Sequence, residues 1–296
     1  MNKCIQKAGN KEKNILYFQF FLFFSLNYFT YFMYEKNKTH KDKDVNMSVY
    51  VCSDLHGNYK KWKRLLKEIK FSDDDEMYVL GDVIDRGDDP IPLLKDILAR
   101  KNCHLILGNH EKMMLDFYFS KTDEEVASSY ELWARNGGEI TLSQCSVLPK
   151  EELWDIINKL KALPLLIIGL EVPFKDNKVK KYYLSHSLWG NCYYPDNSTD
   201  YNLDYLEKSE VMQILWNREY HKANLRPNIV LKVMYKDYTF ISGHTPTYLI
   251  SEKYRHRIYH SKHYMDIDCG AYVNLRNSVS VVGCIRLNDW KEFYVQ

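Results

Sequence analysis

Three segments decide the fold: residues 49–58 are VYVCSDLHGN, residues 77–87 are MYVLGDVIDRG and residues 104–111 are HLILGNHE. Each begins with a short apolar run that predicts a buried strand, at Val49–Cys52, Met77–Leu80 and His104–Leu107. Between them, Tyr59–Lys70 and Ile91–Ala99 carry apolar residues at helical spacing. This alternation predicts parallel strands joined by crossover helices, an α/β fold in which sites form at the carboxyl ends of the strands.

The rest of the chain continues this organisation. Four apolar residues at helical spacing, from Leu153 to Leu160, predict a helix between Pro149 and Pro164. Later strands are predicted at Leu165–Ile168, Tyr182–Leu184, Tyr238–Ile241, Met265–Ile267 and Val279–Leu287. No repeat or low-complexity linker divides residues 47–296, so we predict one α/β domain with two sheets over that range.

Composition excludes several classes of protein. The 296 residues carry a formal net charge of only +2, so we expect no nucleic-acid binding. The seven cysteines include no C-x-x-C pair and mostly lie in apolar runs, which argues against a disulfide scaffold and a zinc finger.

The first 46 residues differ from the rest. Residues 15–34 contain seven of the thirteen phenylalanines and no charged residue, and four lysines precede them. The run is long enough to span a bilayer as a helix. We therefore treat residues 1–46 as a separate extension: a stretch that the working protein lacks, a membrane anchor, or a secretory signal. We expect a cytoplasmic protein, associated with a membrane only if residues 15–34 act as an anchor.

Polar clusters follow five predicted strands. The first three clusters begin at Asp54, Gly81 and Gly108, and two later strands end at His186 and at Gly243-His244. Asp54 and His56 are two residues apart, so in an extended chain both side chains point to the same side, as two ligands of one ion do. Oxygen and imidazole donors without thiolate favour manganese, iron or zinc bound for catalysis.

These clusters resemble the D-x-H-G, G-D-x-x-D-R-G and G-N-H-E signatures of the phosphoprotein phosphatase family of two-metal phosphoesterases. His186 and Gly243-His244-Thr245 match the two later histidine positions, although Ser187-Leu188 stands where the family commonly has Ala-Gly. Residues 133–138, WARNGG, are similar to the bacterial and phage branch. The resemblance implies a calcineurin-like metallophosphoesterase fold, in which two mixed β-sheets form a sandwich flanked by helices.

The resemblance also implies a role for each matching residue. One metal would be held by Asp54, His56 and Asp82, and a second by Asp82, Asn109, His186 and His244. A hydroxide bridging the two divalent ions, most simply Mn²⁺ with iron or zinc as alternatives, would attack the phosphorus. His110, oriented by Asp85, would protonate the leaving group. The phosphate would be bound by Arg86, Arg218, Asn109 and His110.

Several alternatives stay open at this point. We interpret the chain as a bacterial-type serine/threonine protein phosphatase acting on a phosphorylated protein or a small phosphoester. A dinucleoside polyphosphate hydrolase would use the same centre, and a binding module that has lost the chemistry would keep the fold. Asp268, two residues before Gly270, also matches the family near its end, but we expect it to have only a turn role.

Overall fold

Strand β1, Val49–Cys52, lies at the centre of the first of two five-stranded sheets. We describe a computed structural model that covers residues 47–188, 201–204, 206–218, 236–272 and 279–296. In the first sheet β1 pairs in parallel with β2, Glu76–Val79, which pairs in parallel with β3, Cys103–Leu105. On its other side β1 pairs antiparallel with β9, Val282–Arg286, which pairs with β10, Lys291–Val295. The sheet is therefore mixed, with the order β10-β9-β1-β2-β3.

The second sheet is formed by β4 Leu166–Pro173, β5 Val179–Ser185, β6 Tyr238–Ser242, β7 Tyr259–His260 and β8 Tyr264–Asp266. It is also mixed and has the order β4-β5-β6-β8-β7. Strands β5, β6 and β8 are mutually parallel, whereas β4 and β7 are antiparallel to their neighbours. The prediction of two sheets is therefore confirmed.

Helices connect the strands and cover the sheets. They are α1 Tyr59–Glu68, α2 Pro90–Ala99, α3 Asn109–Tyr118, α4 Asp123–Arg135, α5 Glu139–Cys145, α6 Lys150–Lys161, α7 Lys208–Trp216 and the short α8 Thr247–Ile250. The predicted face of α1 is buried through Trp62 and Leu65, and the predicted face of α6 through Ile156, Ile157 and Leu160. Both helices form because one apolar stripe packs on the core while lysines face solvent.

One continuous core joins the two sheets. Cys52 and Val79 of the first sheet, and Tyr183 and Phe240 of the second, belong to a single cluster of buried apolar side chains. All four residues of β1 are buried, as expected for a strand covered on both faces. The shared core fixes the carboxyl edges of the two sets of parallel strands relative to each other.

Two predictions concern residues outside the described ranges. The possible anchor at residues 15–34 lies outside them, as does the whole 1–46 extension, so this boundary stays a prediction. Within the described part of the chain, no helix has the length and apolar character needed to cross a membrane.

Candidate metal centre

Six strand ends deliver polar side chains to one cavity. Asp54, Asp82 and Asn109 follow β1, β2 and β3, while His186, His244 and Asp268 follow β5, β6 and β8. All these side chains are buried, with at most 5% of their surface exposed. The structure thus brings together the polar clusters that the sequence places after separate strands, because each sheet directs the carboxyl ends of its parallel strands to the same edge.

The backbone at these strand ends is left-handed, a conformation that non-glycine residues adopt at a cost. Positive φ angles occur at Asp54 (52°), His56 (42°), Asp82 (51°) and His244 (69°). Our expectation that Asp54 and His56 lie in extended chain is therefore wrong. The chain turns immediately after β1, although His56 N–H still donates to the Asp82 carbonyl at 2.9 Å and so stays bonded to the loop after β2. Such strain persists where the surrounding structure enforces it, and it concentrates at functional sites.

Glu111 fixes the second cluster against the third. Its carboxylate is fully buried and accepts four backbone N–H groups. Oε1 accepts from Val83 (2.8 Å) and Ile84 (3.2 Å), and Oε2 accepts from Asp82 (2.9 Å) and Gly108 (3.0 Å). The glutamate of the G-N-H-E pattern therefore holds the loop that carries Asp82, a role that the sequence alone does not reveal.

Two groups of side chains have the spacing needed to hold metal ions. The first consists of His56, Asp82 and His110, and the second of Asp82, His186 and His244; within each group the ligand atoms lie within 4.8 Å of one another. Asp82 is common to both groups. Asp54 lines the same cavity and its Oδ2 accepts the backbone N–H of His244 at 3.0 Å.

Two of the histidines have the tautomer that metal ligands need. Nδ1 of His56 lies 3.1 Å from the Ile84 carbonyl and Nδ1 of His186 lies 2.7 Å from the Leu80 carbonyl. A carbonyl only accepts, so Nδ1 carries the proton and Nε2 keeps its lone pair, which in His186 lies beside the oxygens of Asn109 and Asp82. Nε2 of His186 then lies 2.8 Å from Oδ1 of Asn109. Both atoms present a lone pair and neither carries a proton, so both could be ligands of one bound cation. The donor set fits a divalent metal.

His110 forms a hydrogen-bonded pair with a buried carboxylate. Its Nδ1–H donates to Asp85 Oδ2 at 2.6 Å, and both side chains are buried. The same Oδ2 accepts the indole N–H of Trp133 at 2.9 Å, while Oδ1 accepts the hydroxyl of Thr141 at 2.6 Å. Nε2 of His110 faces the cavity, 3.7 Å from Asp82 Oδ2. The pair is arranged to hold or release a proton at Nε2.

Two guanidinium groups point into the centre. Arg86 donates through Nη1 to His56 Nε2 at 2.9 Å and through Nη2 to His110 Nε2 at 2.8 Å. Arg218 donates through Nε to His244 Nε2 at 3.2 Å. Both arginines line the cavity, where they are available to an anion such as a phosphate group.

The charges of the centre perturb its titratable groups. Burial raises the pKa values of Asp54 and Asp82 well above their usual range, and the neighbouring carboxylates Asp268 and Glu111, respectively, raise them further. Burial, followed by the charge of Arg86, lowers the pKa of His110 well below its ordinary value. Burial raises the pKa of Asp85 to about 7. Buried carboxylates crowded in this way are stabilised when a cation binds among them.

The cavity also contains residues that the sequence analysis did not assign. It has a volume of about 300 Å³ and is lined on one side by Trp216, Tyr248, Leu249 and Tyr272. Asp268 lines it too, although its Oδ1 also accepts the Gly270 N–H at 2.9 Å as expected for a turn. Expecting only a turn for Asp268 was therefore incomplete. Its position directly after an apolar strand was the signal that could have placed it at the site.

Comparison with known proteins agrees with this geometry. The profile of the calcineurin-like phosphoesterase family matches residues 47–282. Serine/threonine-protein phosphatase 2 of Salmonella typhimurium (strain LT2) is 28% identical over 204 residues, which cover 69% of this chain and 82% of that protein. The symmetrical bis(5'-nucleosyl)-tetraphosphatase of Erwinia tasmaniensis is 29% identical over 143 residues, covering 48% of this chain and 44% of that protein.

A solved structure confirms the fold. The crystal structure of a protein provisionally assigned as a diadenosine tetraphosphatase superposes with a TM-score of 0.52 at 16% identity, covering 85% of this chain and 94% of that one. The expected metallophosphoesterase fold is thus confirmed, and the family profile spans most of the chain, including every cluster described above. The protein belongs to the calcineurin-like phosphoesterase family and is a phosphoester hydrolase.

Proposed function

We propose that the protein is a dinuclear-metal phosphomonoesterase that hydrolyses phosphoserine and phosphothreonine in proteins. The observation that carries this proposal is the convergence of two potential ligand groups, which share Asp82, with two cavity-lining arginines. The similarity to a serine/threonine-protein phosphatase over 204 residues supports the protein substrate.

The proposed ligand sets are those that the resemblance to the phosphoprotein phosphatase family implies: the first takes Asp54 in place of the His110 of the structural group, because His110 is paired with Asp85. One metal would bind to Asp54, His56 and Asp82, and the other to Asp82, Asn109, His186 and His244. We propose Mn²⁺ as the native ion, with iron and zinc as alternatives that the same oxygen and imidazole donors accept. When bound, two divalent ions lower the pKa of a water molecule and neutralise charge on the phosphoryl oxygens.

The chain's own residues supply the remaining chemistry. Arg86 and Arg218 bind the phosphoryl oxygens, and Asn109 and His110 lie beside them. In the structure the guanidinium of Arg86 donates to His110 Nε2. When that guanidinium turns to a phosphate, it frees Nε2, which takes up a proton from solvent because the dianion favours the protonated imidazole. His110 then donates this proton to the leaving oxygen while Asp85 holds its Nδ1–H.

A specific feature of the cavity favours a second candidate, hydrolysis of dinucleoside polyphosphates. Tyr248 and Tyr272 line the cavity beside the arginines, and 40% of the Tyr272 surface is exposed. An exposed aromatic ring such as that of Tyr272 next to a phosphate site is suited to stacking on a nucleobase, whereas the Tyr248 ring is half-buried and has the Arg255 guanidinium 5.1 Å from its centre. The similarity to symmetrical bis(5'-nucleosyl)-tetraphosphatases is consistent with this alternative.

A direct comparison of substrates tests the proposal. The full chain with Mn²⁺ is assayed on a phosphoserine peptide and on diadenosine tetraphosphate, and we expect kcat/KM to favour the peptide by about 100-fold. The opposite preference, together with a loss of diadenosine tetraphosphate hydrolysis in Tyr272→Ala, would establish the second candidate instead. Hydrolysis of neither substrate would identify a binding module that has lost the chemistry.

A further inference from the structure

Asp85 is held at both carboxylate oxygens by residues from the helices that follow the third cluster. Trp133, at the end of α4, and Thr141, in α5, donate to Oδ2 and Oδ1 of Asp85 at 2.9 and 2.6 Å. The Thr141 hydroxyl also accepts the backbone N–H of Asp85 at 3.0 Å. Trp133, Thr141 and Asp85 are all completely buried. Because each of its oxygens accepts a hydrogen bond, the carboxylate is held against rotation.

The W-A-R-N-G-G segment explains why the indole reaches this position. A Cβ at Gly138 would clash with the five-membered ring of Trp133, so the chain can fold back over the indole only with glycine there. Gly137 has φ +92°, its carbonyl accepts the Arg86 N–H at 3.0 Å, and a Cβ would lie 2.8 Å from Arg86 Cγ. The segment thus contacts both Asp85 and Arg86.

The three contacts on Asp85 constrain the ring of His110. The carboxylate has one orientation in which Oδ2 accepts both from Trp133 and from His110 Nδ1. If the bonds from Trp133 and Thr141 were lost, only the bond from His110 would hold the carboxylate, which could then rotate about its side-chain torsions. A tilted carboxylate would carry the imidazole with it and move Nε2 away from the leaving oxygen.

We propose that Trp133 and Thr141 are positioning residues for proton transfer, acting through Asp85 on the orientation of His110. The kinetic part of this inference rests on the proposed phosphomonoesterase function. Neither residue touches the reacting phosphate. Their effect is confined to the step in which the leaving oxygen receives its proton.

Leaving-group dependence isolates that step. The variants Trp133→Phe and Thr141→Val are assayed in the full chain with Mn²⁺ on phenyl phosphate and on p-nitrophenyl phosphate, whose leaving group needs protonation far less. We expect kcat to fall by about 10-fold or more on phenyl phosphate and by less than about 3-fold on p-nitrophenyl phosphate. Equal losses on the two esters would overturn the positioning role.

The chain offers a matched control. Trp62 is equally buried and its indole N–H donates to the Asp96 carboxylate at 2.8 Å, but it lies in α1 and is not among the residues that line the cavity. Trp62→Phe removes the same kind of hydrogen bond and should leave the ratio of the two kcat values unchanged. A ratio changed as much as in Trp133→Phe would identify a general effect of losing a buried indole bond.

A spectroscopic readout separates this inference from the proposed function. The short Nδ1–H···Oδ2 bond of His110 should give a strongly downfield proton resonance, assigned by its loss in His110→Asn. We expect Trp133→Phe and Thr141→Val each to shift this resonance, and Trp62→Phe to leave it in place. An unshifted resonance in both site variants would overturn the inference even if the enzyme is active. Shifted resonances without hydrolysis of either ester would instead overturn the proposed function alone.

Discussion

Replacing Glu111 with glutamine should destabilise the fold far more than the loss of one charge suggests. The substitution keeps the shape of the side chain but turns one acceptor oxygen into an NH₂ group. Each oxygen of the buried carboxylate accepts two backbone N–H groups at 2.8–3.2 Å, so whichever oxygen is replaced, two N–H donors then face a donor.

The structure sets the size of this effect. A hydrogen bond to a charged group contributes about 1.5–3 kcal/mol, so two lost bonds amount to about 3–6 kcal/mol. A neutral amide is less costly to bury than a carboxylate, which offsets part of the loss, and we expect the free energy of unfolding to fall by about 3 kcal/mol. That is a large fraction of the roughly 5–15 kcal/mol that stabilises a typical domain.

Urea unfolding of the metal-free full chain at pH 8, followed by circular dichroism, measures this difference. The control is Glu131→Gln, which removes an exposed ion pair with Arg135 on α4 and should cost less than about 0.5 kcal/mol. Mn²⁺ titration should also show weaker binding to Glu111→Gln, because the loop that begins at Asp82 loses at least one of the hydrogen bonds that Glu111 accepts from Asp82, Val83 and Ile84. A Glu111→Gln variant within 1 kcal/mol of the unsubstituted chain would refute our account of Glu111.

Three further outcomes can be measured. Asp82→Asn should lose both metal ions after dialysis, as measured by elemental analysis, since the Asp82 carboxylate belongs to both ligand groups. Retention of two ions would contradict the view that Asp82 binds both metals. His110→Asn should keep its metal content while kcat falls about 100-fold, and unchanged turnover would remove His110 from the reaction. The raised pKa values of Asp54, Asp82 and Asp266 let the folded metal-free chain keep protons at pH values where the unfolded chain has released them. The lowered pKa values of His56, His110 and His244 act in the opposite sense, but only near and below the ordinary histidine range. The free energy of unfolding of the metal-free protein should therefore fall as the pH rises above the ordinary histidine range, by up to about 1.4 kcal/mol per pH unit for each carboxyl that is still protonated in the folded chain, and a flat or rising profile in calorimetry would show that these carboxylates are ionised throughout that range.

The sequence predicted the strands of the site better than the helices around it. β1 was predicted with its observed ends, and β2 and β3 within two residues, because short apolar runs with a polar cluster at one end can adopt few other structures. Helices α3 to α5 were not predicted, since the first begins inside the G-N-H-E cluster and the other two expose much of their surface. An apolar stripe was the signal used, and α4 buries only Trp133.

The contacts that complete the site could not be predicted from the pattern of neighbouring residues in the sequence. Trp133 was recognised only as part of a branch-specific segment, because its partner Asp85 lies 48 residues away and nothing in either neighbourhood indicates the pairing. Asp268 was assigned to a turn on the strength of Gly270 alone. Hydrogen bonds between distant segments are products of tertiary packing, and residue type does not encode the partner.

The loops that carry the ligands are fixed to each other by backbone contacts beyond the ends of their strands. The N–H groups of Asp54 and Gly57 donate to the carbonyls of Gly81 and Val83 at 3.1 and 2.7 Å, continuing the pairing of the first two strands into the site. A Cβ at Gly81 would lie 2.5 Å from Gly108 Cα, so the second and third loops touch backbone to backbone. These contacts hold Asp54 and Asp82 in left-handed conformations that isolated residues avoid. The loops are therefore ordered before a metal binds, and metal binding does not have to order them. For this reason we expect loss of Glu111, rather than loss of the metal, to unfold this edge of the protein.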